Sequence, residues 1–149
     1  MPLFKAVLTV LARALLSLVF LVSSVNQILY WKETEKRFMA TVADWQTYSV
    51  SSDFLQGLFH FLFAKSPLFL MTVSALQLLG ALLLLFGKYE KWGALLLICI
   101  LLPATFFVQH FWFSEAHVRT IQFSFFLRDL AIVGGLLLVV LRGTRENMR

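Results

Sequence analysis

A single cysteine, Cys99, excludes any disulfide within the chain and any Cys-x-x-Cys redox or zinc pair. Charge is also scarce: 14% of the 149 residues are charged, where a soluble domain carries about 25%. With 60% hydrophobic residues and a mean hydropathy of +0.82, water is the wrong solvent for most of the chain, and a soluble enzyme is excluded. Acidic residues are outnumbered 13 to 8, a formal charge of +5, yet the basic residues sit singly or in small groups at the ends of apolar runs. They read as membrane-edge anchors, so no nucleic acid partner is expected. There is no zinc spacing, phosphate loop or Ser-His-Asp set. Of His60, His110 and His117 only His110 falls in an apolar run, and two ring ligands at matched depth are missing, so neither haem nor metal is expected.

What the chain does have is long uncharged stretches. Residues 14–31, 66–87 and 92–114 hold no charge, and 120–141 is apolar apart from Arg128 and Asp129. Each matches the roughly 20 residues that a bilayer core demands of a helix. The expected fold is all-α: an integral membrane bundle of four transmembrane helices in a single membrane domain, 1–149. The spans run over about 6–30, 66–87, 92–113 and 120–142. Although Lys5 and the run after it have a leader-like look, no small-x-small cleavage site follows and the run is too long for a leader's apolar core. Ser66-Pro67 reads as a helix start, with serine as the cap, and residues 88–91 as a tight turn.

Residues 32–65 form the one sizeable extramembrane piece, and they are amphipathic. Phe38, Val42 and Trp45 recur at helical spacing behind a Thr34 cap, and Phe54, Leu55, Leu58, Phe59 and Leu62 make a second stripe too short to span. Such a segment reads either as an interfacial lid over one mouth of the bundle or as a loop packed on it. An even number of spans puts both termini on one side. That side carries Lys5, Lys88, Lys91, Arg142, Arg145 and Arg149, against Lys32, Lys36, Arg37, Lys65 and Arg119 on the other. Six to five favours both termini in the cytoplasm.

The polar residues inside the spans are the informative ones. Arg128 and Asp129 each cost about 2.5–3.5 kcal/mol at a helix centre, and the 14 Ile, Leu, Val and Phe of 120–141 return a similar total. Both charges are therefore expected to face protein rather than lipid. Being adjacent they point about 100° apart, so different partners are expected, with Gln77 or Asn26 the favoured ones for Asp129. Arg13, Ser17, Ser24 and Gln27 share one face of the first span, with Asn26 beside the last of them. Ser74 and Gln77 in the second span, and Thr105, Gln109, His110 and Trp112 near the end of the third, add further polar atoms. The candidate ligand-binding set is Arg13, Asn26, Gln27, Gln77, His110, Trp112, Arg128 and Asp129; the alternative is that these groups only hold the bundle together.

Several motifs point to a family. Arg13 through Phe20-Leu21-Val22-Ser23-Ser24 to Asn26-Gln27, Gln77-Leu78-Leu79-Gly80 with Gly87, Pro103-Ala104-Thr105 with His110-Phe111-Trp112, and Phe126-Leu127-Arg128-Asp129-Leu130-Ala131 with Gly134-Gly135 run through nearly the whole chain. In these the sequence resembles the DoxX family of small bacterial membrane proteins. Ser24 and Gln27 stand where glycine and lysine are usual, Gln77 where an acid is frequent, and Arg128-Asp129 in place of Lys-Asn. The resemblance implies a four-helix inner-membrane protein in redox homeostasis or quinone-linked metabolism, working beside protein partners. The leading expectation is thus a quinone-contacting accessory subunit. The alternatives are a non-enzymatic scaffold or assembly factor and, third, a small-solute or proton-coupled transporter built around Asp129. Whether the chain is itself an enzyme stays open, as does homo-oligomer formation.

Overall fold

The computed structural model describes residues 2–48, 53–87, 89–110, 112 and 116–146. Six helices follow in order: α1 (Pro2–Leu29), α2 (Trp31–Tyr48), α3 (Asp53–Ala64), α4 (Ser66–Phe86), α5 (Glu90–Val108) and α6 (Ala116–Glu146). Four of them are long and apolar enough to cross a membrane: Val7–Leu29 of α1, α4, α5 and Ala116–Arg142 of α6. Only 17% to 33% of the most apolar stretch of each is buried, so most of its surface faces outward. Exposed Leu8, Leu11, Leu15, Leu18 and Val22 on α1 would aggregate in water; in acyl chains they are at home. The protein is an all-α, multi-pass membrane bundle.

Lipid removes the hydrophobic drive between helices, so close packing has to hold them. α4 and α5 meet at Gly80-Ala81 and Gly93-Ala94. A Cβ on Gly93 would stand 2.9 Å from the Gly80 carbonyl oxygen and 3.0 Å from the Leu84 nitrogen, which only glycine avoids. Around this seam Leu84, Leu97 and Leu136 are fully buried. α1 packs along α4, α4 along α5 and α5 along α6, but α1 and α6 touch far less. Their contact sits toward the terminal end, where a Cβ on Gly135 would meet Leu16 at 3.3 Å and Arg142 donates to Thr9. The ring of helices is therefore left open toward the other end.

Several local expectations are corrected. α2 begins at Trp31, so Thr34 is no cap; it lies within the helix and its hydroxyl donates back to the carbonyl of Tyr30, the residue before the helix. Lys65 occupies the capping position of α4 without a side-chain bond, and Ser66 lies within the helix, its hydroxyl 3.5 Å from Glu35. α5 stops at Val108, short of the 113 expected, while Lys88 in the connecting turn lies outside the described residues. The amphipathic reading of 32–65 resolves into α2 and α3: Val42 and Phe59 are buried, Phe38 and Trp45 half-buried, Phe54 and Leu58 exposed.

Candidate functional site

Between the splayed halves of α1 and α6 lies a cavity of about 810 Å³. α1, α4, α5 and α6 form its walls, and α2 crosses one end with Phe38 and Thr41, joined by Leu62 of α3. Its lining is mostly aliphatic and aromatic, with Val19, Phe20, Phe69 and Phe107 among the contributors, and Gln27, Gln77, Arg128 and Asp129 add polar groups. Pro103 also faces it. Proline carries no N–H, so the Cys99 carbonyl one turn earlier loses its helical donor beside the cavity.

Two polar clusters frame the chamber. In the first, Ser74 donates to Gln27 Oε1 at 2.7 Å, and Gln27 Nε2 stands 3.5 Å from Gln77 Oε1 and 3.4 Å from Ser23. This ties α1 to α4, although 3.5 Å is long for a hydrogen bond and leaves both amides capacity for another partner. In the second, Gln109 Nε2 donates to Asp129 Oδ2 at 2.6 Å, with Thr105 at 3.4 Å from the same oxygen. Arg128 Nε and Nη2 both donate to Asp129 Oδ1, at 3.1 and 2.9 Å.

The partners of Asp129 are thus Gln109, Thr105 and Arg128, in place of Gln77 or Asn26. Neighbouring helix positions do diverge, but arginine is long enough to fold back across the gap, so the two charges pair with each other while the second oxygen of Asp129 turns to α5. Expecting both to face protein was half wrong. The Asp129 side chain is 10% exposed, whereas that of Arg128 is 62% exposed, lying over the Phe125 ring with Cζ 5.1 Å from its centroid.

The remaining candidates lie elsewhere. Arg13 is at the terminal end, ion-paired with Glu90 and lying over the α4–α5 turn, where Gly87 adopts φ +72°. A Cβ on Gly87 would stand 2.7 Å from an Arg13 guanidinium nitrogen. Asn26 is exposed and faces a second, smaller cavity. His110 and Trp112 belong to a cap outside the chamber: His110 Nε2 lies 3.3 Å from Asp44 and its Nδ1 3.1 Å from the Val108 carbonyl oxygen. Trp45 packs against His110, Trp112 and Phe107, and its indole N–H donates to the Phe107 carbonyl at 2.8 Å. These bonds satisfy carbonyls that the end of α5 leaves without helical donors. They hold α2 across the mouth.

Sequence reasoning passed over Arg37 and Thr41, which α2 brings to the chamber. Their signal was faint, a basic and a hydroxyl residue four apart in a segment read only for its apolar stripe. Gln109 and Thr105 were noticed on α5, but not as the residues that hold Asp129.

A family model described as DoxX matches residues 8–110, from α1 to just past the end of α5. The Arg128-Asp129 pair of α6 lies beyond the matched stretch. No curated protein and no solved structure matches the chain.

Proposed function

The chain belongs to the DoxX family, and from that premise we propose that it is an accessory subunit of quinone-linked membrane metabolism, holding a lipid-soluble quinone in the chamber between α1, α4, α5 and α6. The observation that carries the reading is the make-up of the chamber. Its size falls within the range of small-molecule sites, and its walls are apolar with a few convergent polar groups. A quinone tail suits the aliphatic walls. The head carbonyls accept hydrogen bonds, and the amides of Gln27 and Gln77 and the Arg128 guanidinium are the donors at hand. The chamber opens between two spans, so a molecule dissolved in the bilayer reaches it without crossing water.

Electrons have to come from elsewhere, because one cysteine offers no disulfide couple. On this reading a partner protein supplies the redox centre, the chain sits in the inner membrane, and both termini face the cytoplasm. The test is titration of the purified protein with a short-chain ubiquinone analogue, followed by quenching of tryptophan fluorescence. Saturable quenching is expected, weakened about tenfold by Gln77→Leu, the worth of one hydrogen bond. It should be unchanged by Leu138→Ala on the outer face of α6, where Leu138 is 69% exposed.

The scaffold reading has its own support, since Gln27, Ser74 and Gln77 bond one another and Asp129 is satisfied by α5. Non-saturable quenching, equal in wild type and Gln77→Leu, would favour it.

A further inference from the structure

α2 is not among the helices apolar enough to span, and it exposes Lys32, Glu33, Lys36 and Arg37, so the end of the chamber that it crosses is the end toward water. A few contacts at the close of α5 fasten it there. Trp45 donates its indole N–H to the Phe107 carbonyl, and one residue earlier Asp44 Oδ2 lies 3.3 Å from His110 Nε2. The other ring nitrogen, Nδ1, lies 3.1 Å from the Val108 carbonyl oxygen. Both nitrogens of one imidazole therefore face oxygens that only accept. A neutral imidazole has a single N–H, so either tautomer sets a ring lone pair against an oxygen lone pair, whereas imidazolium donates to both. The His110 side chain is 10% exposed, which leaves little room for water to come between.

The surrounding charges leave this pair to itself. Asp44 is the one acid paired with the ring among the described residues, and α5 has no charged residue between Trp92 and His110. On α6, Arg128 and Asp129 are bound to each other and Asp129 takes the Gln109 amide, while His117 and Arg119 stand at least about 15 Å farther along that helix. On α2, Arg37 lies two turns before Asp44 and lines the chamber.

We infer that His110 and Asp44 form a proton-operated latch on the chamber: protonated, His110 holds α2 across the end toward water, and loss of the proton releases it. Histidine changes charge between about pH 5 and 8. The ion pair is present at the acid end of that range and is lost as pH rises, so acid closes the chamber and base opens it. As regulation of quinone entry the latch rests on the proposed function; its motion needs no quinone.

Cys99, exposed in the chamber and the one thiol of the chain, reports the motion. The protein in lipid nanodiscs is labelled with two methanethiosulfonates, one bearing a sugar that keeps it in water and one bearing an alkyl chain that dissolves in lipid. Both attack the same thiolate, so the ratio of their rates cancels the titration of the thiol. The sugar-to-alkyl ratio should be about threefold lower at about pH 5.5 than at about pH 8, the scale of one partly exposed ion pair. Asp44→Asn and His110→Gln should each make the ratio independent of pH. The Asp44 side chain is 55% exposed, so its substitution leaves the fold intact. An equal ratio at both pH values, a higher one in acid, or a pH response that survives both substitutions would overturn the latch. A normal pH response in a protein that fails to bind the quinone analogue would remove the quinone and keep the latch.

Discussion

Arg128 is bound to the residue that follows it: its Nε and Nη2 both donate to one carboxylate oxygen of Asp129, whose other oxygen takes the Gln109 amide at 2.6 Å. The pair carries no net charge into the span, which makes the position tolerable in a bilayer. Breaking it on one side should therefore hurt more than removing both charges. Arg128→Leu and Asp129→Leu are each expected to lower stability, by about 1–3 kcal/mol given the exposed guanidinium, while the double substitution costs less than the two single losses combined. Thermal unfolding in detergent, run as a double-mutant cycle, measures this; strict additivity would show that the pair is not coupled.

Glycine substitutions should separate three environments. Gly87→Ala places a side chain at positive φ and against the Arg13 guanidinium, and a loss of about 1–2 kcal/mol is expected. Gly93→Ala drives a methyl into the α4 backbone and should cost as much or more. Gly134→Ala meets nothing within 4 Å and should be neutral or slightly stabilising. Comparing the midpoints of the three variants in one detergent checks the order.

Trp45→Phe keeps the ring that stacks on Phe107 but removes the N–H that reaches its carbonyl. Loss of that bond should loosen α2 over the chamber at a cost of about 1–3 kcal/mol, with faster amide exchange in 31–48 than in α4. Uniform exchange across both helices would count against α2 as a separately held cover.

Cys99 is exposed and lines the chamber, and it is the one thiol in the sequence. A lipid-soluble maleimide should label it, and a saturating quinone analogue should slow that labelling severalfold. Equal rates with and without the analogue would mean that the two do not share the space.

The sequence made much of this legible. Uncharged runs of bilayer length give the four spans because the constraint is physical and strong: backbone groups in lipid must bond within a helix. Polar residues on the first two spans are legible too, but the Gln27–Gln77 contact itself is not, because the sequence offered Gln77 to Asp129. Less readable was the open side of the bundle, since the weak contact of α1 with α6 depends on how helices tilt, and periodicity does not encode tilt. Arg13 shares a face with Gln27, and helix rise separates the two in depth. Fourteen residues of rise, about 21 Å, put Arg13 at the boundary nearer the termini, where it pairs with Glu90, a partner that the sequence does not name. The sequence favours Gln77 or Asn26 for Asp129 without fixing the partner, and Gln109 escapes it because that residue sits beyond the last turn of α5, where helical spacing no longer predicts direction.

The central claim is that a lipid-soluble quinone occupies the chamber, and the most direct measurement is photo-crosslinking with an azido-quinone followed by peptide mapping. Adducts are expected on chamber residues of α1, α4 and α5, such as Val19, Val73 and Ile100, and they should disappear with excess unlabelled quinone. Adducts spread over outward positions such as Leu15, Phe86 and Leu138, unaffected by competitor, would contradict it.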